Sequence, residues 1–200
     1  MIIDLTMELS DQTPVFPGSQ TIDMKSVAQI QKDGWNETRL CMNSHIGTHI
    51  DAPYHMIEKG KTISEYPIDY FCGNGIVFDV RHEDEIEIDP SFIQGHEIVF
   101  FYTGHNKTKH KKTYFDSSPV LSKNTADALL KKHIKLVGID SWTIDEAPYT
   151  IHRLLLSHDI LILENLVSLD RLLNKQFLCY ALPLPISQAD GAPCRVIAVL

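Results

Sequence analysis

The segment Ser44–His55, SHIGTHIDAPYH, constrains this chain more than any other stretch. It places three histidines and an aspartate within eleven residues and punctuates them with Gly47 and Pro53. Pro53 disfavours a helical conformation at Ala52, so the stretch reads as extended. In an extended segment His49 and Asp51, two residues apart, share one face. Gly47 permits a sharp turn that folds His45 back toward His49. A lone histidine is most often a solvated or packed residue. Imidazoles and a carboxylate gathered this densely suit zinc, manganese or iron, or acid–base chemistry, with His45, His49, Asp51 and His55 as the groups available. No HExxH helix motif occurs.

The rest of the chain reads as an α/β scaffold for that segment. Met1–Thr6, Glu37–Met42, Gly75–Val80 and Glu97–Tyr102 have the apolar runs or alternation of strands, Glu37–Met42 as a half-buried one. Thr13–Gly18, with two prolines and a glycine, is a rigid loop. Ser122 is placed to cap a helix that runs to about His133. Lys135–Ile139 follows as a buried strand, Tyr149–Ser157 as a second helix and Ile160–Leu163 as another buried strand. Helix, strand, helix, strand implies a right-handed crossover and a parallel sheet. Gln176–Ala181 and Arg195–Leu200 close the chain as strands. Glu83–Asp89 alternates acid and apolar residues like an exposed edge strand.

With 200 residues, no repeat and no low-complexity linker, one domain spanning residues 1–200 is expected. Acidic residues outnumber basic ones 26 to 18, for a net charge of -8, which argues against a nucleic-acid partner. The short basic run Lys107–Lys112 reads as a solvated loop. No apolar stretch approaches the roughly 18 residues of a membrane span. The N-terminal run has no basic region before its apolar residues, unlike a signal peptide. The four cysteines are scattered and form no CxxC pair, the pattern of reduced thiols in a cytoplasmic protein.

SHIGTHIDAPYH also resembles the HxGTHxDxPxH signature of the cyclase-like metal-dependent hydrolases, which include bacterial kynurenine formamidases and isatin hydrolases. TPVFPG at Thr13–Gly18, GIDSWTID at Gly138–Asp145 and GAPCR at Gly191–Arg195 are similar to further segments of that family. The resemblance implies a swivelling β/β/α fold and a second ligand pair, a histidine with a glutamate twelve residues on. His152 and Glu164 have that spacing, and Glu164 falls at the carboxyl end of a strand, where open α/β sheets place their sites. His158 competes with His152 but does not fit the spacing.

By the same resemblance, two divalent ions are implied, zinc first, with manganese or iron as alternatives. His45, His49 and Asp51 would hold one; Asp51, His152 and Glu164 would hold the other. His55 remains as general acid/base for hydrolysis of a small amide-type C–N bond by metal-activated hydroxide. The reaction pointed to is an arylformamidase step of tryptophan catabolism, N-formylkynurenine to kynurenine and formate, with other formamides, carbamates or cyclic amides next. A metal-binding protein without turnover is the reading from another class. The family's tryptophan in the PVWPG loop, which stacks on the substrate ring, is replaced by Phe16, which stacks with less area and no N–H donor. A homo-oligomer and a small-molecule substrate are the partners implied.

Overall fold

The computed structural model describes residues 1–200. Its strands are β1 (Ile2–Asp4), β2 (Asp23–Ala28), β3 (Glu37–Cys41), β4 (His49–Asp51), β5 (Cys72–Asp79), β6 (Glu85–Ile86), β7 (Ile98–Tyr102), β8 (Val120–Leu121), β9 (Leu136–Ile139), β10 (Leu161–Glu164), β11 (Phe177–Pro183) and β12 (Gly191–Val199). The helices are the single turn α1 (Ile30–Asp33), α2 (Lys123–Lys131) and α3 (Thr150–Leu156). Ser122 caps α2 by accepting a hydrogen bond from the Thr125 N–H at 3.0 Å.

The main sheet runs β1-β12-β11-β5-β7-β9-β10-β4, and β4 pairs again with β12. Seven strands therefore close into a barrel, and β1 pairs with the C-terminal end of β12, beyond the stretch of β12 that pairs with β4. β5, β7, β9 and β10 run parallel, and α3 is the crossover between β9 and β10. β4, β11 and β12 complete the barrel with antiparallel pairings. The parallel run expected from the order of elements is present, but closure replaces the two free edges an open sheet would have.

Alternation along the strands sorts their side chains into two apolar layers. Ile98, Phe100 and Tyr102 of β7, Leu136 of β9 and Leu161 and Leu163 of β10 join Ile50, Cys179, Val196 and Ala198 inside the barrel. Val99, Phe101, Val137, Ile139 and Ile162 point outward and are covered by Ala126 and Leu129 of α2 and Ile151 and Leu155 of α3. This two-sided burial explains why these strands read as continuous apolar runs. It also fixes the outward face of β4 and β10. Ile50 and Leu163 face in, so His49, Asp51 and Glu164 face out toward α3.

Two expectations are corrected. The strand at Glu37–Cys41 has all five residues exposed rather than half buried, because it pairs only with β2 in a two-stranded ribbon separate from the barrel. Glu83–Asp89 is not an exposed edge strand. Only Glu85 and Ile86 pair, with β8, and Ile86 is fully buried beneath α2. The run Lys107–Lys112 lies in a surface turn, where the Lys107 ammonium stacks 5.6 Å from the centroid of Tyr102.

Gly138 is one of the close-packed points of the sheet. A β-carbon there would stand 2.6 Å from the Phe100 ring and 2.7 Å from Leu166 Cδ1. Gly138→Ala should destabilise the protein by about 1–3 kcal/mol through overpacking. At this chain length each kcal/mol lowers the melting temperature by roughly 2–4 °C. A thermal melt of the variant checks it, and an unchanged midpoint would refute the packing argument.

Candidate metal centre and its cavity

Gly47 begins the site. Its φ of +67° lies in the left-handed region that glycine tolerates, and a β-carbon there would meet Leu9 Cδ2 at 2.5 Å. The turn brings the His45 and His49 rings to 5.1 Å, near perpendicular. β4 then carries His49 and Asp51 on one face. Antiparallel pairing sets Glu164 of β10 opposite His49. α3 packs over this face and presents His152 from its first turn, so Asp51, His152 and Glu164 meet in a buried cluster. His152 Nε2 lies 3.2 Å from Glu164 Oε1 and 3.8 Å from Asp51 Oδ2. Glu164 ends its strand rather than following it.

The histidines are oriented from behind. His49 donates through Nδ1 to the Gly47 carbonyl at 2.8 Å. His152 bonds through Nδ1 to Asp145, which also accepts the Ile151 and His152 backbone N–H groups at 2.7 and 3.3 Å. His45 donates through Nδ1 to Asp51 and through Nε2 to Asp190, each at 2.7 Å. His55 reaches the same Asp190 oxygen through Nδ1 at 3.2 Å, and Ser44 donates to the other Asp190 oxygen at 2.9 Å.

These contacts set the charges. Burial works against a charged His45, but Asp51 and Asp190 outweigh it and push its pKa up to about 10. Burial likewise opposes charge on His152, yet Asp145 and Glu164 raise it to about 10. Burial alone would raise the Asp51 carboxyl; His45, aided by His49 and His55, instead holds it well below the usual carboxylate range. Hydrogen bonds from His45 and His55 do the same for Asp190. The carboxylates are thus ionised at neutral pH, and imidazolium groups act as their counter-ions.

The donor set fits a divalent cation. His49 Nε2 is buried and has no hydrogen-bond partner, although Asp51 Oδ1 and Glu164 Oε2 each lie 3.4 Å away. A lone pair lying between two carboxylate oxygens and hydrogen-bonded to neither is the arrangement a cation completes. Three groupings have donor atoms close enough to share one ion: His45, His49 and Asp51; Asp51, His152 and Glu164; and His45, His55 and Asp190.

This cluster floors a cavity of about 370 Å³. Phe16 stands on its wall, its ring 5.4 Å from Trp142 and 5.7 Å, edge to face, from Phe115. The structure brings His45, His49, Asp51, His55, His152 and Glu164 together in the lining of one cavity, which Phe16 also lines. His158 stays apart, exposed, bonded through Nδ1 to the Leu154 carbonyl. Of the two tryptophans, Trp35 and Trp142, either of which the sequence left open as a pocket residue, Trp142 lines the cavity. Asp190, Asp145 and Phe115 are residues that sequence reasoning did not single out. Asp190 immediately precedes the GAPCR segment and Asp145 closes GIDSWTID, so both lay at the margins of motifs already noticed.

Comparison with known proteins agrees with this geometry. A kynurenine formamidase of Bacillus cytotoxicus is 31% identical over 202 residues, covering 98% of this chain and 95% of the relative. A solved potential metal-dependent hydrolase with cyclase activity superposes with a TM-score of 0.83 at 28% identity, over 99% of this chain and 96% of its own. Isatin hydrolase A from Labrenzia aggregata superposes with a TM-score of 0.85 at 27% identity, over 99% of this chain and 93% of its own. The family model described as putative cyclase matches residues 3–146, well over half the chain. On these grounds the chain belongs to the putative cyclase family.

Proposed function

We propose that this chain is a metal-dependent hydrolase of a small amide-type C–N bond, and that its substrate is an aryl formamide, N-formylkynurenine first, giving kynurenine and formate. The observation that carries the reading is the buried, unpartnered His49 Nε2 between Asp51 and Glu164, on the floor of an aromatic-walled cavity. The kinship with kynurenine formamidases directs the choice of substrate.

His45, His49 and Asp51 would hold one cation, and Asp51, His152 and Glu164 a second. Zinc is the first choice, and manganese and iron accept the same donors. Bound there, a divalent cation supplies a Lewis acid for the amide carbonyl and acidifies water. His55 is the proton carrier. Its Nδ1 is engaged by Asp190, which leaves Nε2 to take a proton from the attacking water and pass it to the leaving nitrogen. Phe16, Phe115 and Trp142 offer ring faces and edges to an aromatic substrate and keep bulk water from the reacting carbonyl. The likeness to an isatin hydrolase makes a cyclic aryl amide the second substrate to test.

The whole chain is read as one hydrolase domain, since β1 and β12 pair the two ends. A homo-oligomer is the assigned assembly, supported by the apolar residues Met24, Val27, Trp35 and Leu40 exposed on the β2–β3 ribbon. All four cysteines are free thiols, which supports a reducing, cytoplasmic setting. No helix is long and apolar enough to cross a membrane.

Turnover of N-formylkynurenine, with isatin and a non-aromatic formamide alongside, tests the substrate assignment. Activity on none of the three would refute it. His55→Ala should keep its metal content and lose roughly 10²–10⁴-fold in kcat. Asp51→Asn should lose metal at both positions by elemental analysis; normal content would remove its shared role.

Metal uptake should also be pH-linked. His45 and His152 are protonated in the metal-free protein up to a pH of about 10 and must be neutral to ligate. Zinc binding at pH 7 should therefore release on the order of two protons per chain and weaken as pH falls. Calorimetry in two buffers of different ionisation enthalpy reads this number.

A further inference from the structure

Asp145 makes a set of contacts that only a carboxylate can satisfy. One of its oxygens faces His152 Nδ1, and the other accepts the backbone N–H groups of Ile151 and His152, at 2.7 and 3.3 Å. The backbone pair are first-turn donors of α3, which have no partner within the helix. Asp145 is buried, and its own carbonyl is held at 2.7 Å by the Thr143 hydroxyl, so the carboxylate has little freedom to turn away. Every group that it meets is an N–H donor once His152 carries its proton on Nδ1. When the second ring proton leaves to admit a cation, the opposite nitrogen, Nε2, is left with its lone pair toward Glu164 Oε1 and Asp51.

We propose that Asp145 is a positioning residue that fixes His152 with its proton on Nδ1 and its Nε2 lone pair aimed at the Asp51–Glu164 cluster, and so controls cation binding at that position. The proposal rests on the metal-dependent reading above. It follows from counting donors and acceptors. A carboxylate has acceptors on both oxygens and serves all three N–H groups at once. An amide of the same shape has one acceptor and one donor. If it keeps the backbone N–H groups, its NH2 faces His152 Nδ1, which must then accept. The one proton of the neutral ring is then held on Nε2, where it occupies the electron pair that a cation needs. Asp145→Asn is thus nearly isosteric and retains the cap of α3, yet inverts the ligand. Outer carboxylates of this kind change metal affinity by about 10–100-fold.

The two neighbouring histidines mark the effect as local. His49 is fixed with Nδ1–H by the Gly47 carbonyl, and His45 is tied to Asp190 through Nε2, so neither depends on Asp145. Asp145→Asn should therefore weaken one zinc position and spare the other.

The experiment uses the full chain, with zinc as the probe, in chelator competition, alongside ¹⁵N spectra of the zinc-loaded histidines and melts of the metal-free protein. In the wild type, two zinc-ligating rings should carry Nδ1–H and one Nε2–H. Asp145→Asn should lose one Nδ1–H signal and bind one zinc equivalent roughly 10–100-fold more weakly, with the metal-free melting temperature nearly unchanged. Asp145→Ser keeps a capping oxygen, and its rotatable hydroxyl is not held as a donor toward the ring, so it should weaken zinc less than the asparagine does.

Wild-type affinity in Asp145→Asn, or a retained Nδ1–H signal, overturns the proposal. So does equal weakening in both variants accompanied by equal loss of metal-free stability, which would make Asp145 a cap and nothing more. A wild-type chain that takes up no zinc overturns the metal-dependent reading itself, and the two failures are told apart by that control.

Discussion

The arrangement of the molecule depends on the alternation of three residues in β4. Ile50 enters the barrel interior, which forces His49 and Asp51 to its outer face. A one-residue slip in register would exchange these faces, placing an imidazole and a carboxylate in an apolar core. Burying unpaired charge in that core would cost several kcal/mol, far more than a three-residue pairing contributes. The hydrophobic requirement at position 50 thus fixes the register, and the register fixes which side chains converge beneath α3. The chemistry of the site is a by-product of satisfying the core.

The same economy recurs behind the histidines. Each ring is held by a group that its own local structure already needs. The Gly47 carbonyl belongs to the turn that leads into β4 and orients His49. Asp145 caps α3 while it meets His152. Asp190, at the start of β12, joins His45 to His55. Orientation here comes from turn, cap and strand entry rather than from a separate shell of residues. Substitutions in these outer positions will therefore mix structural and chemical effects unless the replacement conserves shape.

Much of this was legible in the sequence, for identifiable reasons. The strands buried on both faces announced themselves as apolar runs, and the helix cap at Ser122 followed from local hydrogen-bonding chemistry. The clustering of His45, His49, Asp51 and His55 was visible because one short segment carries them all. His152 and Glu164 became visible only through family resemblance, since spacing alone carries no signal across a crossover. Asp190 was out of reach for a different reason. It lies 145 residues from His45, and nothing local relates them; only the pairing of β12 with β4 does so. The exposure of Glu37–Cys41 was misread because alternation signals a strand without saying whether anything covers its apolar side.

β4 has a second property, its brevity. Three residues close a barrel of seven strands by pairing with β10 on one side and β12 on the other. A strand so short contributes few backbone hydrogen bonds to either seam, so side chains must carry much of the closure. His49 and Asp51 lie on that strand, Glu164 on its neighbour and His152 on the helix above. Any ion gripped by these four residues would rivet strand, neighbour and helix together. Its binding energy would then be spent on keeping the barrel shut, and the weakest seam of the scaffold would become the one most strongly governed by the concentration of free metal around the protein.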